Sequence, residues 1–215
     1  MKFKDGAEVF TMKNEKVGSV DRVVLDPKSK DVSHIVVRKG FLLTEDKVIP
    51  IEAVDQIVDD KVYLKKDVKD LDNFPQFEET EYILAEEIDK VEKTTSKYAR
   101  PILWYPPYGY SGLGRVPFAP IPIYYAATQR NIPEGSVPLK EGAKVLSMDG
   151  EEVGKIEEVL VDPRQERATH IVIEEGLLFP DRKLLPTIWI TNMLEDEIHI
   201  AMKSSTLEKL PEYEG

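Results

Sequence analysis

The sequence predicts an all-β protein that contains the same small antiparallel β-barrel twice. Segment 17–40 returns as 153–176, and this offset of 136 residues holds without a gap across residues 4–77. Each copy contains about five short runs of β-branched residues separated by turn residues, which is typical of a small closed sheet. We therefore predict two small barrels, each of roughly 75 residues, over residues 1–77 and 139–215.

Equivalent small residues separate the strands of both copies. Lys13-Asn14 and Asp149-Gly150 lie between two β runs, and Asn and Gly accept the positive φ that a two-residue primed hairpin turn requires. Gly18 and Gly154 interrupt the next run in each copy, which predicts a bulge or a sharp bend. Such bends allow a small sheet to close.

The order of these signals resembles a known family. Each copy has Gly-Ala, a strand, a turn, Val-Gly, a β run that ends in Asp-Pro, then His-Ile-Val, Gly, and a Pro that closes the next strand. This order resembles the PRC-barrel family, which takes its name from the cytoplasmic barrel of the photosynthetic reaction centre H subunit and includes the C-terminal domain of a ribosome maturation factor. The resemblance covers residues 4–77 and 140–213. It implies a barrel fold and an interaction role, and it supplies no active-site residues or cofactor ligands.

The segment after the first copy has a helical pattern. Ile83, Leu84, Ile88 and Val91 recur at a roughly helical spacing, with acidic residues early in the segment and lysines late. That charge order agrees with the helix dipole. We therefore predict a short amphipathic helix over residues 78–99.

The connector over residues 100–138 is rich in proline and aromatic residues and poor in charge. Disordered segments have the opposite composition, and proline disfavours a regular helix or an inner strand. We therefore expect an ordered, extended segment whose rings are buried against a barrel or against another molecule. The candidate interface residues of this connector are Trp104, Tyr105, Tyr108, Tyr110, Phe118, Tyr124 and Tyr125.

An apolar tip follows the central strand of each copy. Three consecutive large apolar residues after a glycine do not all fit one inner face, so at least one in each tip is expected at the surface unless something covers it. The tips either cap the open end of their own barrel or dock on another surface. The candidate interface residues are Phe41, Leu42, Leu43, Leu177, Leu178 and Phe179.

Composition narrows the class of partner. The net charge of −11 disfavours direct binding of nucleic acid, and an acidic surface suits a basic protein. The chain has no cysteine, so it has no disulfide or thiolate site. We see no secretory leader and no apolar run of about 18 residues, and we expect a cytoplasmic protein without membrane insertion.

No motif predicts catalysis. His34 and His170 occupy equivalent places without a second metal ligand at zinc-like spacing. The glycine-rich piece 109–114 fits neither a nucleophile elbow nor a dinucleotide loop, and the acidic clusters are adjacent residues that point to opposite faces of a strand. We predict no catalytic, cofactor-binding or metal-binding residue, and no cofactor.

These observations favour a non-enzymatic interaction or self-assembly module. Its partner is a second copy of the chain or another protein, and a heterologous contact between copies would close into a ring or extend as a filament. One alternative is an adaptor that acts in ribosome or RNA processing through a protein partner, which rests on family analogy. A second alternative is a small-molecule enzyme of unknown class.

Overall fold

The computed structural model describes seven ranges of the chain: residues 1–4, 6–40, 45–58, 60–84, 100–102, 124–175 and 181–214. The contacts divide the chain into two compact units. The first unit contains both sequence copies and comprises Met1–Phe77 and Ile132–Gly215, and the second comprises Glu78–Asn131. The two copies are therefore parts of one compact unit.

Each copy forms a curled sheet. The strands of the first copy are β2 (Glu8–Phe10), β3 (Lys16–Leu25), β4 (Val32–Lys39), β5 (Glu45–Pro50), β6 (Val54–Val58) and β7 (Lys61–Leu64). Those of the second copy are β12 (Lys144–Leu146), β13 (Glu152–Asp162), β14 (Arg167–Glu175), β15 (Asp181–Pro186), β16 (Ile190–Met193) and β17 (Glu197–Ile200). The strand orders are β5-β4-β3-β2-β7-β6 and β15-β14-β13-β12-β17-β16, and each sheet gains a seventh strand, β11 (Val137–Lys140) or β1 (Lys2–Lys4).

One pairing in each sheet is parallel, which corrects the prediction of purely antiparallel barrels. Strand β7 runs parallel to β2, and β17 runs parallel to β12. The chain leaves β5 through a single turn of 3-10 helix at Ile51–Ala53, and Thr187–Trp189 does the same after β15. Because that turn carries the chain across to the far edge of the sheet without a hairpin, the last strand returns beside the first in the same direction.

The predicted glycine bulges are confirmed. The β2–β3 and β12–β13 registers each shift by one residue beside Gly18 and Gly154. A Cβ atom on Gly18 would lie 2.6 Å from the carbonyl oxygen of Arg38, and one on Gly154 would lie 2.7 Å from that of Glu174. Glycine is therefore required because the neighbouring backbone lies too close for any side chain.

The predicted primed turns are wrong. Among the turn residues, only Asn14 and Gly150 have positive φ, at 62° and 82°, whereas a type I′ turn needs positive φ at both central residues. Each turn closes through a hydrogen bond donated by that residue, from Asn14 N to Thr11 O at 2.9 Å and from Gly150 N to Ser147 O at 3.0 Å.

One hydrophobic core spans both copies. Buried residues of the first sheet, such as Leu25 and Ile35, belong to the same cluster as Ile171 and Ile198 of the second. A shared core couples the stability of the two copies, because the apolar surface of each is removed from water partly by the other. The described helix α1 (Ser204–Leu207) follows the second sheet.

The second unit contains a sheet of three strands. Strand β10 (Tyr124–Arg130) pairs antiparallel with both β8 (Glu78–Leu84) and β9 (Arg100–Ile102). At one end of the sheet, Arg130 Nε donates to Glu78 Oε1 at 3.0 Å. The helix predicted from residue 78 is wrong over Glu78–Leu84, since pairing with a strand distant in sequence overrides the local helical spacing. The rest of the predicted helix, residues 85–99, lies outside the described residues.

Candidate interaction surfaces

Most of the predicted interface residues lie outside the described residues. Tyr124 and Tyr125 begin strand β10. The predicted interface residues that lie outside the described residues are Phe41, Leu42, Leu43, Trp104, Tyr105, Tyr108, Tyr110, Phe118, Leu177, Leu178 and Phe179. The candidate surfaces are therefore built from the described parts of the first unit.

The two copies exchange their first strands. Strand β1 precedes the first copy but pairs with β13 of the second, with Phe3 opposite Val159. Strand β11 precedes the second copy and pairs with β3 of the first, with Leu139 opposite Val23. Phe3 and Leu139 are each 2% exposed, so both exchanged strands bury a large apolar side chain in the other copy's sheet.

The exchange creates a seam whose two sides are equivalent positions. A small cavity of about 20 Å³, enough for about one water molecule, lies on this seam. Its lining contains six positions of the first copy and the same six of the second: Phe3, Lys4, Val20, Asp21, Arg22 and Val23, with Leu139, Lys140, Ile156, Glu157, Glu158 and Val159. The seam is thus occupied by the contact between copies, and it leaves little room for a ligand.

Opposite charges have changed places across the seam. In the first sheet Arg22 lies 3.6 Å from Asp46, and in the second sheet Glu158 accepts a 2.8 Å hydrogen bond from Arg182. Position 22 corresponds to 158 and position 46 to 182, so the cation and the anion are reversed between the copies. Glu158 is only 4% exposed, which makes Arg182 the partner of a buried charge.

The reversed cations make the same aromatic contact. The guanidinium of Arg22 lies 4.8 Å from the ring centre of Phe77, and that of Arg182 lies 5.5 Å from the ring of Tyr213. Phe77 and Tyr213 are equivalent residues that end the two copies. Each copy therefore places a cation over its last aromatic ring, although the cation comes from a different strand in each.

The outer strip, defined as residues 187–194, differs from its counterpart at every position. Its sequence, TIWITNML, has no charge, whereas the counterpart 51–58, IEAVDQIV, contains Glu52 and Asp55. Ile188 is 84% exposed and Leu194 is 49% exposed. The strip includes β16, which is the last strand of its sheet. An uncharged edge strand with exposed apolar residues at both ends is a surface that natural sheets usually protect.

Further apolar residues continue the outer strip on one side. Ala201 N donates to Trp189 O and Met148 N donates to Met202 O, each at 2.8 Å. Met148 is 63% exposed. In the first copy, Lys65 and Lys66 occupy the positions of Ala201 and Met202. The fold therefore does not require apolar residues at these two positions, whereas the counterpart of Met148 is Met12, which is 41% exposed.

Asp149 fixes the turn beside Met148. Its carboxylate accepts hydrogen bonds from Ser204 N at 3.0 Å and Ser204 Oγ at 2.9 Å. Hydrogen bonds from the Ser147 hydroxyl and the Ser204 backbone amide lower the pKa of Asp149 from 3.8 to about 2. The negative charge therefore persists at the start of α1 throughout the neutral and mildly acidic range.

The three histidines lie in three different strands, β4, β14 and β17. Burial lowers the pKa of His34 below 6.5, and its Nδ1 has no hydrogen-bond partner within the described residues. His199 Nε2 lies 2.7 Å from Glu197 Oε1. Across the seven described ranges, no group of three or more His, Cys, Asp or Glu side chains is arranged to hold a metal ion.

The outer strip was missed by the sequence analysis. The tips drew attention because they contain three large apolar residues in a row after a glycine, while Ile188 and Leu194 lie in a segment that has the composition of an ordinary buried strand. Comparing the two copies position by position identifies the strip, because Ile188 and Thr191 replace the charged residues Glu52 and Asp55.

Among the described residues, no helix has the length and the apolar composition that a membrane-spanning helix needs.

Comparison with known proteins agrees with the architecture. The family model of the PRC-barrel domain matches residues 5–71 and again residues 141–204. The two matches fall on the two sequence copies and together cover more than half of the chain. A search of curated proteins found no match.

Proposed function

Because the chain belongs to the PRC-barrel domain family, we propose that it is a non-enzymatic module that assembles with itself or binds another protein. Domains of this family are generally interaction modules and generally lack catalytic activity. The duplication gives this chain two such domains in one compact unit. Its function is to present an outer surface to a partner, while the seam between its own copies is already filled.

The observation that carries this proposal is the asymmetry of the outer strip. Both copies build the same sheet, yet Ile188 is 84% exposed where the first copy has Glu52. Exposing a large apolar side chain to water is unfavourable, and the fold gains nothing from it that a glutamate does not provide. A partner surface that covers Ile188 accounts for an isoleucine at this place.

The test measures assembly and binding on the same preparation. Sedimentation velocity from about 1 to 100 µM reports self-association, and protein retained on the immobilised chain from a lysate of the source cells is quantified by mass spectrometry. An unrelated acidic protein of similar size serves as control bait. A strict monomer that retains no more protein than this control would refute the proposal.

A further inference from the structure

We infer that β16, the strand within the outer strip, pairs antiparallel with β16 of a second copy of this chain, around a two-fold axis near Thr191. This inference rests on the proposed function and names the partner. It concerns residues 187–194 and their continuation at Met148 and Met202. The result is a closed dimer of two 24.5 kDa chains.

The first step of the argument is the open edge. Strand β16 pairs with β17 on one side, and it is the last strand in the described order of its sheet. An edge strand presents unpaired N–H and C=O groups, and natural proteins protect such edges with charged residues, short strands or bulges. Strands β6 and β16 are both short, and each carries a bulge, at Asp55 and at Thr191. The first copy adds charge, with Asp55 in β6 and Glu52 in the turn before it, whereas the outer strip has no charge.

The second step is that the strip is complementary to itself. Its exposed apolar residues lie at its two ends, Ile188 and Leu194, and its exposed polar residues, Thr191 and Asn192, lie near the centre. Ile188 lies in the 3-10 turn just before β16, and Leu194 follows β16 directly. An antiparallel pairing of two β16 strands centred on Thr191 therefore brings the turn that carries Ile188 in one chain beside Leu194 of the other, twice. Apolar residues then meet apolar residues, and the central polar side chains meet each other.

The third step concerns charge. Each chain carries a net charge of −11, so two chains repel each other over most of their surfaces. Because the outer strip has no charged side chain, two copies can meet there without placing like charges in contact. Salt screens the remaining repulsion, so association through the strip strengthens as ionic strength rises.

The same geometry limits the assembly to a dimer. An isologous contact uses the same surface on both chains and closes after two copies. The corresponding strip on the first copy carries Glu52 and Asp55, so it does not offer a second contact of the same kind. Because the strip is short, the interface is small and the dimer is weak, with a dissociation constant on the order of micromolar or above.

Cysteine cross-linking tests the two-fold axis directly, because the chain has no native cysteine. Residues opposite each other in an antiparallel pair have Cα atoms about 4.5–5.5 Å apart, which suits a disulfide. We expect Thr191→Cys to form a covalent dimer rapidly under mild oxidation. Asp55→Cys, the equivalent position of the first copy, is the matched control and should remain monomeric on a reducing-agent-free gel.

Charge insertion tests the ends of the strip. Ile188→Glu and Leu194→Glu should each weaken the dimer in sedimentation by at least tenfold. Val58→Glu is the control, because Val58 is the equivalent of Leu194 and is 46% exposed, and it should leave assembly unchanged. Circular dichroism verifies that all three variants remain folded.

The outcomes separate this inference from the proposed function. If the wild-type chain associates, but Thr191→Cys and Asp55→Cys cross-link equally and the Ile188→Glu chain associates as the wild type does, the strip is not the interface although the chain is an assembly module. If the wild-type chain is monomeric and yet retains a partner protein, the inference of a second copy is wrong and the proposed function stands. A monomer that retains no partner overturns both.

Discussion

Asp31 and Arg167 are the same position in the two copies, and they face each other across the seam as a backbone bridge. On either side of this bridge, Val32 N donates to Glu166 O at 2.7 Å and Ala168 N donates to Lys30 O at 2.9 Å. These two hydrogen bonds are equivalent under exchange of the copies. The chain therefore has an internal pseudo-two-fold axis at this bridge, and the exchange of β1 and β11 obeys the same symmetry.

Shortening a buried side chain on an exchanged strand should destabilise both copies. Phe3→Ala removes a buried side chain from the second copy's sheet, and we expect a loss of about 3–5 kcal/mol in unfolding free energy. Leu139→Ala, its equivalent, should cost about 2–5 kcal/mol through the first copy's sheet. Because one core spans both copies, denaturant titration should show a single transition for each variant. Hydrogen exchange that loses protection in only one sheet would contradict this coupling.

The buried charge pair at Glu158 and Arg182 should be strongly coupled. Arg182→Met leaves the carboxylate of Glu158 without its cation, which we expect to cost about 3 kcal/mol. The double variant Glu158→Met/Arg182→Met removes both charges and should recover most of that loss. Unfolding free energies from a double-mutant cycle measure the coupling.

The first copy supplies the control for this cycle. Asp46→Met removes the carboxylate at the position equivalent to Arg182, but Arg22 keeps Asp21 and Glu195 as partners. We therefore expect a smaller loss than for Arg182→Met. Equal losses at the two positions would show that burial of Glu158 is not the cause.

The Asp149 carboxylate should give a pH-dependent contribution to stability. Its pKa is about 2 in the folded chain against 3.8 in the unfolded one, so the unfolded state binds the proton first as pH falls. Its contribution is therefore complete above about pH 5, declines below pH 4 and disappears as pH falls through about 2. The difference in stability between wild type and Asp149→Ala should follow this profile. Lys13→Ala, the equivalent position, should show no such pH dependence in that window.

Relief of a strained backbone should stabilise the seam. Glu166 has a φ of 50°, a region that costs most residues about 1–2 kcal/mol. Glu166→Gly keeps the carbonyl that accepts from Val32 and should raise the unfolding free energy by about 0.5–1 kcal/mol after the entropic cost of glycine. Gln165→Gly is the neighbouring control and should lower it, as measured by thermal melting.

The local features of the sheets were predictable from sequence. Gly18 and Gly154 predicted bulges because only a close backbone or a distorted strand explains a glycine within a β run, and both bulges are present. The primed turns were not predicted correctly, since Asn14 accepts positive φ in more than one turn type. The edge strands β6 and β16 were not predicted. Each follows directly on a 3-10 turn, so no glycine or other turn residue in the sequence marks where the strand begins.

The exchange of strands was not predictable from one duplicated sequence. Phe3 pairs with Val159, but its own copy offers Val23 at the equivalent position. Two partners of the same chemistry give the same local pattern, and only the length and path of the connecting chain decide between them. The prediction for Glu78–Leu84 was wrong for a related reason, since the strand that pairs with this segment, Tyr124–Arg130, is distant in sequence.

The pairing of β11 with β3 has a consequence for the order of events during protein synthesis. The amino-terminal copy emerges from the ribosome with residues 22–25 of its longest strand lacking their neighbour, which lies at Val137–Lys140. Domains generally fold as they are synthesised, starting from the N-terminus, but this one must wait for the second copy to begin. The nascent first copy is therefore an incomplete sheet with an open edge, and the chain reaches its finished state only after both copies have been translated.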